Sequence, residues 1–416
     1  MEEWKEYKIG DICRIKHGFA FKGIHFVDEP QRYVCVTPGN FALKGGFKND
    51  KPKYYNGPIP EDYILQKDDL VVTMTDLSKN GDTLGYSALI PYDEHYIFLH
   101  NQRIGLIEDI STYIDKHFLY WVMRTYDYQR YIVGHCSGST VKHTSPTGIG
   151  SYVFRCPDMK MQKEISSVLD NLDDKIEVNR RINDNLEQQA QALFKSWFVD
   201  FEPFRDQPFV ESELGMIPNG WRVGPLGEIM NITSGKRPLK KETKPIEDFI
   251  VPLIGASGIM GYTNSVLFNE KILVIGRVGT HGVVQRFNTP CWPSDNTLVI
   301  KSSFYEYCYQ ILCSIDYTNL NRGSTQPLIT QTDIKNQLIV IPPIEVISNF
   351  EVIVSTLMNL EIINVEESSR LAELRDTLLP RLMSGELSVD GLKGQFAVSP
   401  GRCPGSKEHV SNNTAL

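Results

Sequence analysis

Two short residue patterns in this chain are typical of enzymes that act on DNA, and both fail on their surroundings. A DNA methyltransferase holds its target amino group with a small polar residue before Pro-Pro, but here the sequence reads Ile341-Pro342-Pro343, and isoleucine offers no acceptor. Pro157-Asp158 followed by Asp173 and Lys175 formally matches a metal-nuclease pattern. That chemistry places its acids and lysine on adjacent strands around Mg²⁺, whereas Asp173 and Lys175 lie in a predicted long helix.

The sequence also lacks a recognisable motif for binding a nucleotide or a metal ion. The run Gly276–Gly282 is glycine-rich, but its spacing does not fit a dinucleotide-binding loop. A phosphate loop ending at Gly235-Lys236 would need glycine at position 230, which is methionine. The nine histidines and eight cysteines show no metal-ligand spacing and no CxxC pair. We therefore expect no cofactor and no metal in this chain.

Residue types suited to reading DNA are present instead, on predicted loops. Recognition uses Arg, Lys, Asn, Gln, Ser and Thr that reach base edges and phosphates. The net charge of −8 opposes DNA binding overall, but 1–157 holds 18 basic and 19 acidic side chains and 216–341 holds 12 and 9. The acidic excess therefore lies outside these two stretches. The candidate DNA-contacting residues are Arg14, Lys16, His17, Lys22, Thr75, Ser78, Lys79, Asn80, Lys142, His143, Lys236, Arg237, Lys240, Lys241, Arg277, Thr280, His281, Arg322 and Gln326.

An internal repeat accounts for the placement of these loops. Trp4, the run 9–12, Ile15 and Gly18 return 217 residues later as Trp221, the run 226–229, Ile232 and Gly235. Gly138-Ser139-Thr140 returns 185 residues later as Gly323-Ser324-Thr325. The second copy is thus about thirty residues shorter between its two matched ends. Fixed ends around a variable middle suit a scaffold that displays interchangeable recognition surfaces.

Each copy continues into a long helix with an apolar stripe at 3–4 spacing. A helix over 160–199 would be about 60 Å long at 1.5 Å per residue, too long for an ordinary core helix. Asn179 and Asn183 in the first stripe, with Glu361, Asn364 and Ser368 in the second, form matching polar gaps that could set the register of a helix pair. The residues predicted to pair the helices are Ile165, Leu169, Leu172, Ile176, Leu186, Leu193, Leu357, Leu371, Leu378 and Leu382.

The two globular stretches read as mixed α and β. The runs 70–72, 103–107, 272–275 and 297–300 are strand-like, and 117–126 and 304–315 are helix-like. We predict an α+β protein with two globular α/β domains joined by two long helices that form an antiparallel coiled coil, related by a pseudo-twofold repeat. The predicted parts are a first domain (1–157), a first helical spacer (158–202), a linker (203–220) in which Pro203 ends the helix, a second domain (221–342), a second spacer (343–390) and a disordered tail (391–416).

Composition bounds the setting of the protein. No apolar run reaches the roughly 18 residues of a membrane span, and the polar N-terminus lacks the apolar core of a signal peptide. Scattered thiols without a disulfide framework indicate a reducing compartment. These features predict a cytoplasmic protein with no membrane partner.

Several strings, taken with the repeat, resemble a known family. The strings are Leu186–Ala190 (LEQQA), Phe194–Phe201 (FKSWFVDF), Ile217–Trp221 (IPNGW) and Leu378–Leu387 (LLPRLMSGEL). Over about residues 4–390 they are similar to the specificity subunit of type I restriction–modification systems. The resemblance implies two target recognition domains that each read half of a split site in double-stranded DNA, and a helical spacer that sets the gap. It also implies methyltransferase and restriction subunits as partners, which would use S-adenosylmethionine, ATP and Mg²⁺ themselves.

Two other classes of function remain open at this point. An enzyme with its own nuclease or methyltransferase domain would need a full cofactor motif. A coiled-coil scaffold or adaptor without a DNA role would not need two large globular domains with polar, glycine-rich loops. The sequence favours a non-catalytic, DNA-binding subunit.

Overall fold

The structure is a computed structural model that describes residues 4–78, 80–278, 282–317 and 328–391. It divides into two compact units. Unit 1 comprises 1–177 and 368–416, and unit 2 comprises 178–367. This division cuts through both long helices, so each unit contains one globular domain and a segment of each helix. The eight helices in the described residues are α1 (Ile9–Ile12), α2 (Lys116–Val122), α3 (Tyr126–Gly134), α4 (Pro146–Gly150), α5 (Met159–Phe198), α6 (Tyr305–Ser314), α7 (Gln331–Lys335) and α8 (Ile344–Met383).

Unit 1 is built on two four-stranded sheets. Its strands are β1 (Lys5–Lys8), β2 (Arg14–His17), β3 (Phe26–Val27), β4 (Tyr33–Val36), β5 (Tyr54–Tyr55), β6 (Leu70–Thr73), β7 (Thr75–Asp76), β8 (Ser87–Leu89), β9 (Ile97–His100), β10 (Ile104–Glu108), β11 (Lys142–His143) and β12 (Val153–Cys156). One sheet has the order β2-β10-β6-β8 and the other β3-β5-β4-β9. β1 pairs antiparallel with β12, so the first and last strands of the domain close it.

Unit 2 repeats this plan with fewer elements. Its strands are β13 (Phe209–Ser212), β14 (Gly215–Pro218), β15 (Arg222–Pro225), β16 (Asn231–Ser234), β17 (Val251–Gly255), β18 (Gly258–Thr263), β19 (Ile272–Gly276), β20 (Val284–Phe287), β21 (Trp292–Pro293), β22 (Thr297–Lys301) and β23 (Leu338–Ile341). The main sheet has the order β16-β22-β19-β20. β15 pairs antiparallel with β23, as β1 does with β12 in unit 1.

The main core of each unit lies between its sheet and its helix segments. In unit 1, Ile165 and Leu169 of α5 and Leu378 and Leu382 of α8 share one buried cluster with residues of α2, while Leu172 packs at its edge. In unit 2, Leu186 is buried in the corresponding cluster, and Leu193 and Leu357 pack against it. Ile176 and Leu371 are only partly buried and belong to neither cluster.

A polar layer interrupts the helix contacts in unit 2, where the sequence has its polar gaps. The buried Asn179 donates from Nδ2 to Glu367 Oε2 at 2.7 Å. Asn364 Nδ2 donates to Asn183 Oδ1 at 2.8 Å, and Asn183 Nδ2 contacts the Glu361 carbonyl at 3.4 Å. Residue numbers rise along α5 as their partners fall along α8, so these segments run antiparallel. The amide groups of such a layer find hydrogen-bond partners in only one register of the two helices, so the layer selects that register.

The structure corrects three expectations about elements. α5 ends at Phe198 rather than at Pro203, because Phe201 takes a left-handed conformation (φ 52°) that turns the chain out of the helix. The predicted helix at 117–126 is two helices, α2 and α3, with a break before the cap residue Thr125. The predicted linker contains the β13–β14 hairpin.

The sequence has no uninterrupted apolar run of about 18 residues, but one described helix meets a looser criterion for a membrane span. By length and composition alone, the α8 helix could cross a membrane. A single such helix is weak evidence, because core helices of soluble proteins pass the same test. Leu378 and Leu382 of α8 contribute to the buried cluster of unit 1, and Phe350 and Val354 to that of unit 2.

Candidate DNA interface

One end of the main sheet in unit 1 gathers several of the predicted loops. β2 and β6 both run antiparallel to β10, so their C-terminal ends lie together beside the start of β10. His17 pairs with Gly105 there, and the Met74 amide donates to the Arg103 carbonyl at 2.9 Å. We call this edge the loop end of the sheet in unit 1, formed by 17–18, 74–78, 80–83, 101–103 and 142–144.

Two predicted loops meet at this loop end. β7 pairs with β11 in the register Lys142–Asp76 and His143–Thr75. The hydroxyl of the buried Thr75 lies 3.1 Å from His143 Nδ1. Lys142 is half-buried, whereas His143 is exposed. The structure therefore brings together candidates that lie nearly seventy residues apart in sequence.

Asp76 organises the loop that carries Ser78 and Asn80. Its carboxylate accepts hydrogen bonds from the Ser78 amide at 2.6 Å and from the Thr83 hydroxyl at 2.8 Å. Burial alone would raise the pKa of Asp76, but the hydrogen bonds from Ser78 and Thr83 outweigh it and lower the pKa. The Ser78 hydroxyl in turn accepts from the Asp82 amide at 2.7 Å, and Asn80 is exposed. A fixed loop with an exposed tip suits base contacts, which require defined donor positions.

The sheet of unit 2 has a loop end of the same construction, formed by 235–237, 277–278, 294–296 and 328–329. β16 and β19 both run antiparallel to β22. The Lys236 amide donates to the Pro293 carbonyl, and the Arg277 amide donates to the Asn296 carbonyl, each at 3.0 Å. Arg277 is half-buried, and its Nε makes no hydrogen bond within the described residues. Lys236 and Arg237 are exposed, and Arg237 lies 3.4 Å from the Asp295 carboxylate.

The repeat glycines explain how both loop ends are formed. A Cβ on Gly18 would lie 2.0 Å from the Asn101 carbonyl oxygen, and one on Gly235 would lie 2.1 Å from the Ser294 carbonyl oxygen. Because only glycine permits this approach of two backbones, each repeat has glycine where the chain leaves the first sheet strand.

Other candidates lie elsewhere or are already engaged. Arg14 is at the opposite end of β2, where it forms ion pairs with Glu108 at 2.5 Å and Asp109 at 3.0 Å. Lys16 donates to the Asp62 carbonyl at 2.9 Å and lies over the Tyr63 ring. Lys22, Lys240 and Lys241 are exposed outside the loop ends as defined above.

Five candidates, namely Lys79, Thr280, His281, Arg322 and Gln326, lie outside the described residues, as does the predicted tail beyond residue 391. Gln102, Arg103 and Asn296 are exposed at the two loop ends but were not among the residues predicted from the sequence. Gln102 and Asn296 directly precede predicted strands and Arg103 begins one, which was an available signal. Within the described ranges, no group of three or more His, Cys, Asp or Glu residues could hold a metal ion.

Comparison with known proteins places this fold. The family model described as the type I restriction modification DNA specificity domain matches residues 1–188 and 218–375, one match for each repeat. The specificity subunit of the type I restriction enzyme MjaIX from Methanocaldococcus jannaschii is 28% identical over 66% of this chain and 70% of its own length. That of HindI from Haemophilus influenzae is 25% identical over 93% of this chain and 100% of its own.

A solved structure shares the fold. The S subunit of a type I restriction–modification system from M. genitalium superposes with a TM-score of 0.52 at 18% identity, over 91% of this chain and 96% of that one. The chain therefore belongs to the type I restriction–modification DNA specificity family. It is a DNA sequence-recognition subunit of such a system and is not its catalytic subunit.

Proposed function

We propose that the two domains each read one half of a split site in double-stranded DNA, and that the loop ends carry the base contacts. The observation that carries this proposal is that two repeat-related sheets end in the same glycine-dependent arrangement but present different side chains. Unit 1 presents His17, Arg103, Lys142 and His143 there, whereas unit 2 presents Lys236, Arg237, Arg277 and Asn296. The gap between the half-sites is set by the helices α5 and α8, each of 40 residues.

The test substitutes one loop end at a time and maps the methylated sequence. Lys142→Ala should relax base preference in one half-site, and Arg277→Ala in the other, each weakening binding by about 1–3 kcal/mol. Arg14→Ala is the matched control, because Arg14 lies at the opposite end of the sheet and is paired with Glu108. Relaxation of both halves by either single variant, or an equal effect of the control, would contradict the assignment.

Methyltransferase subunits are the proposed direct partners, and restriction subunits join through the assembled complex. In unit 2, large apolar side chains of α8 and α5 remain exposed although they lie on helices: Ile344, Val352, Ile353, Leu360, Ile363, Val178 and Ile182. Exposed apolar area of this kind marks interaction surfaces. Ile353→Asp with Leu360→Asp should abolish co-purification of the methyltransferase subunit, whereas Thr377→Asp, exposed on α8 but remote from these apolar positions, should not.

In this proposal the cofactors belong to the partners. S-adenosylmethionine would bind the methyltransferase subunits, and ATP and Mg²⁺ the restriction subunits, with the whole complex acting in the cytoplasm. The purified chain alone should neither methylate nor cleave DNA nor hydrolyse ATP. Methylation by the chain in the absence of any partner would contradict this division of labour.

A further inference from the structure

A half-buried arginine in unit 2, Arg286, links the globular domain to both long helices. Arg286 lies in β20. Its guanidinium is 2.7 Å from Glu187 of α5 and 3.2 Å from Glu361 of α8. A third carboxylate, that of Glu306 in α6, lies 3.5 Å away. The guanidinium also stacks on Tyr309 of α6, with 4.2 Å between the guanidinium carbon and the ring centroid. These five residues are the Arg286 network.

The partners of Arg286 fall into two groups. Glu306 and Tyr309 belong to the globular domain itself, whereas Glu187 and Glu361 belong to the helices. The guanidinium is planar and presents its donors in a rigid fork, so it fixes angles as well as distances between the groups that it contacts. The network is therefore placed to fix the rotation of the domain about its helix segments.

Unit 1 has a guanidinium at the corresponding place, although it comes from another element. Arg124, just beyond α2, lies over Tyr120 of α2 with 4.9 Å to the ring centroid. Tyr120 and Tyr309 are each the fifth residue after the N-cap of their helices, at Asp115 and Phe304. Arg124 forms an ion pair with Asp173 of α5 at 2.5 Å.

One contact of each arginine with a long helix also lies at equivalent positions of the repeat. The equivalent of Asp173, 185 residues later, is Met358, and Arg286 Nη1 contacts the Met358 sulfur at 2.6 Å. Each repeat thus places an arginine between one corresponding position of a long helix and a tyrosine at the same position of its own helix. One arginine follows a helix, and the other comes from a strand.

We propose that Arg286 is a positioning residue that sets the orientation of the unit 2 domain on its helix segments and thereby selects the gap between the two half-sites. Arg124 has this role in unit 1. The inference rests on the proposed function, because it presumes a split site. Lengthening the gap by one base pair moves the second half-site by about 3.4 Å and rotates it by about 34°. Only a domain of fixed orientation can reject such a change.

The experiment uses the full chain assembled with its methyltransferase subunits. Methylation mapping on random DNA first defines the half-sites and gap for the unaltered chain. Duplexes with the same half-sites and gaps up to two base pairs shorter or longer are then compared. The key variant is E187A with E361A, which removes both helix carboxylates but leaves Arg286 its partners within the domain. Folding is therefore preserved better than in Arg286→Met, which would leave three glutamates without their shared arginine.

In E187A/E361A, we expect the preference for the natural gap over a gap one base pair longer to fall about tenfold. This is about the factor by which one mismatched base pair weakens specific binding. Base preference within each half-site should not change. Arg286→Lys should show an intermediate profile, because lysine retains the charge without the fork. The control E345A with E373A, two exposed glutamates of α8, should leave the gap profile intact.

The outcomes separate the inference from the proposed function. A gap profile in E187A/E361A identical to that of the unaltered chain would overturn the positioning role and leave the split site standing. A uniform loss of binding at every gap length would also overturn it, because that result indicates a merely structural role. An unaltered chain that methylates without any fixed gap would overturn the proposed function and this inference with it.

Discussion

Units 1 and 2 share one plan but attach their domains to the helices by different chemistry. In unit 1 several polar contacts supplement the apolar cluster that joins the domain to both helices. Trp121 Nε1 donates to Asp170 of α5 at 2.8 Å, and His117 lies 2.8 Å from the same carboxyl group. Lys44 reaches Asp376 of α8 at 2.6 Å. Together with Arg124, these contacts connect three parts of the domain to both helices.

In unit 2 the attachment is largely aromatic, with Arg286 as the main ionic contact described above. Phe350 of α8 lies within 6.2 Å of four rings, measured between centroids. Trp221 contacts one of these four, Phe198, and two further rings, Phe201 and Phe204. The rings of this aromatic cluster are Phe194, Trp197, Phe198, Phe201, Phe204, Trp221, Tyr307 and Phe350. Aromatic pairs add roughly 0.5–1.5 kcal/mol each beyond the area that they bury.

The difference shows that the repeat retains positions rather than interactions. The repeat partner of Phe350 is Ile165, which is buried in unit 1 among aliphatic and aromatic side chains. Where unit 2 buries more aromatic area at the helices, unit 1 has more hydrogen bonds and ion pairs. Exposed ion pairs weaken as salt screens them, whereas apolar burial is not subject to this screening. The two units should therefore respond differently to substitutions and to solution conditions.

The largest effect is expected from Phe350→Ala in unit 2. Phe350 is fully buried, and its truncation should cost about 3–5 kcal/mol of unfolding free energy through lost burial and a cavity. Hydrogen–deuterium exchange should rise in unit 2 peptides and not in the recognition domain of unit 1. The matched variant is Ile165→Ala in unit 1, which removes fewer carbons. An equal or larger loss for Ile165→Ala would remove the distinction between the units.

A somewhat smaller effect is expected from Arg124→Met in unit 1. The side chain of Arg124 is only 3% exposed, and its removal leaves Asp173 with Arg375 as its remaining ion-pair partner. We expect a loss of about 3 kcal/mol, the lower end for breaking a buried pair, measured by urea unfolding and by exchange in unit 1 peptides. Arg14→Met, which breaks an exposed pair with Glu108, should cost under about 1 kcal/mol. Equal costs for the two variants would contradict a polar attachment of unit 1.

The sequence predicted the parts of this fold that depend on local pattern. The four strand-like runs and the helix at 304–315 follow from apolar spacing, and each lies within two residues of its predicted place. The two long helices also follow from apolar spacing, but they end at Phe198 and Met383, before the predicted spacer ends at 202 and 390. The matched glycines at 18 and 235 indicated the loop ends, because two backbones approach so closely there that only glycine fits. Membership of the specificity family, read from strings such as 194–201, is confirmed by the family match.

The attachment of the domains could not be predicted, because it depends on contacts between distant parts of the chain. Arg286 and its helix partner Glu187 are 99 residues apart in sequence. The equivalence of Arg124 with Arg286 is invisible to alignment, since the two arginines come from different elements. The same limit applies to Arg14, whose charge suggested a DNA contact although it pairs with Glu108 at the far end of its strand.

The smallest effect is expected from pH, through His117 of unit 1. Its hydrogen bond to Asp170 raises the pKa of the imidazole above its ordinary value of 6.5. Because the folded pKa is raised, the stability from this pair is fully present below pH 6.5 and is lost as pH rises through the folded pKa. Both side chains are partly exposed, so solvent screening should limit the effect to under about 1 kcal/mol.

The measurement compares the unfolding free energy of the unaltered chain with that of His117→Gln at several pH values. The difference should be largest near about pH 6 and should shrink toward about pH 8.5, where the imidazole is neutral. His95→Gln, at an exposed histidine, should show no such trend. A difference that grew with pH would mean that the neutral imidazole makes the stabilising contact, and a trend shared by His95→Gln would assign the effect to something other than Asp170.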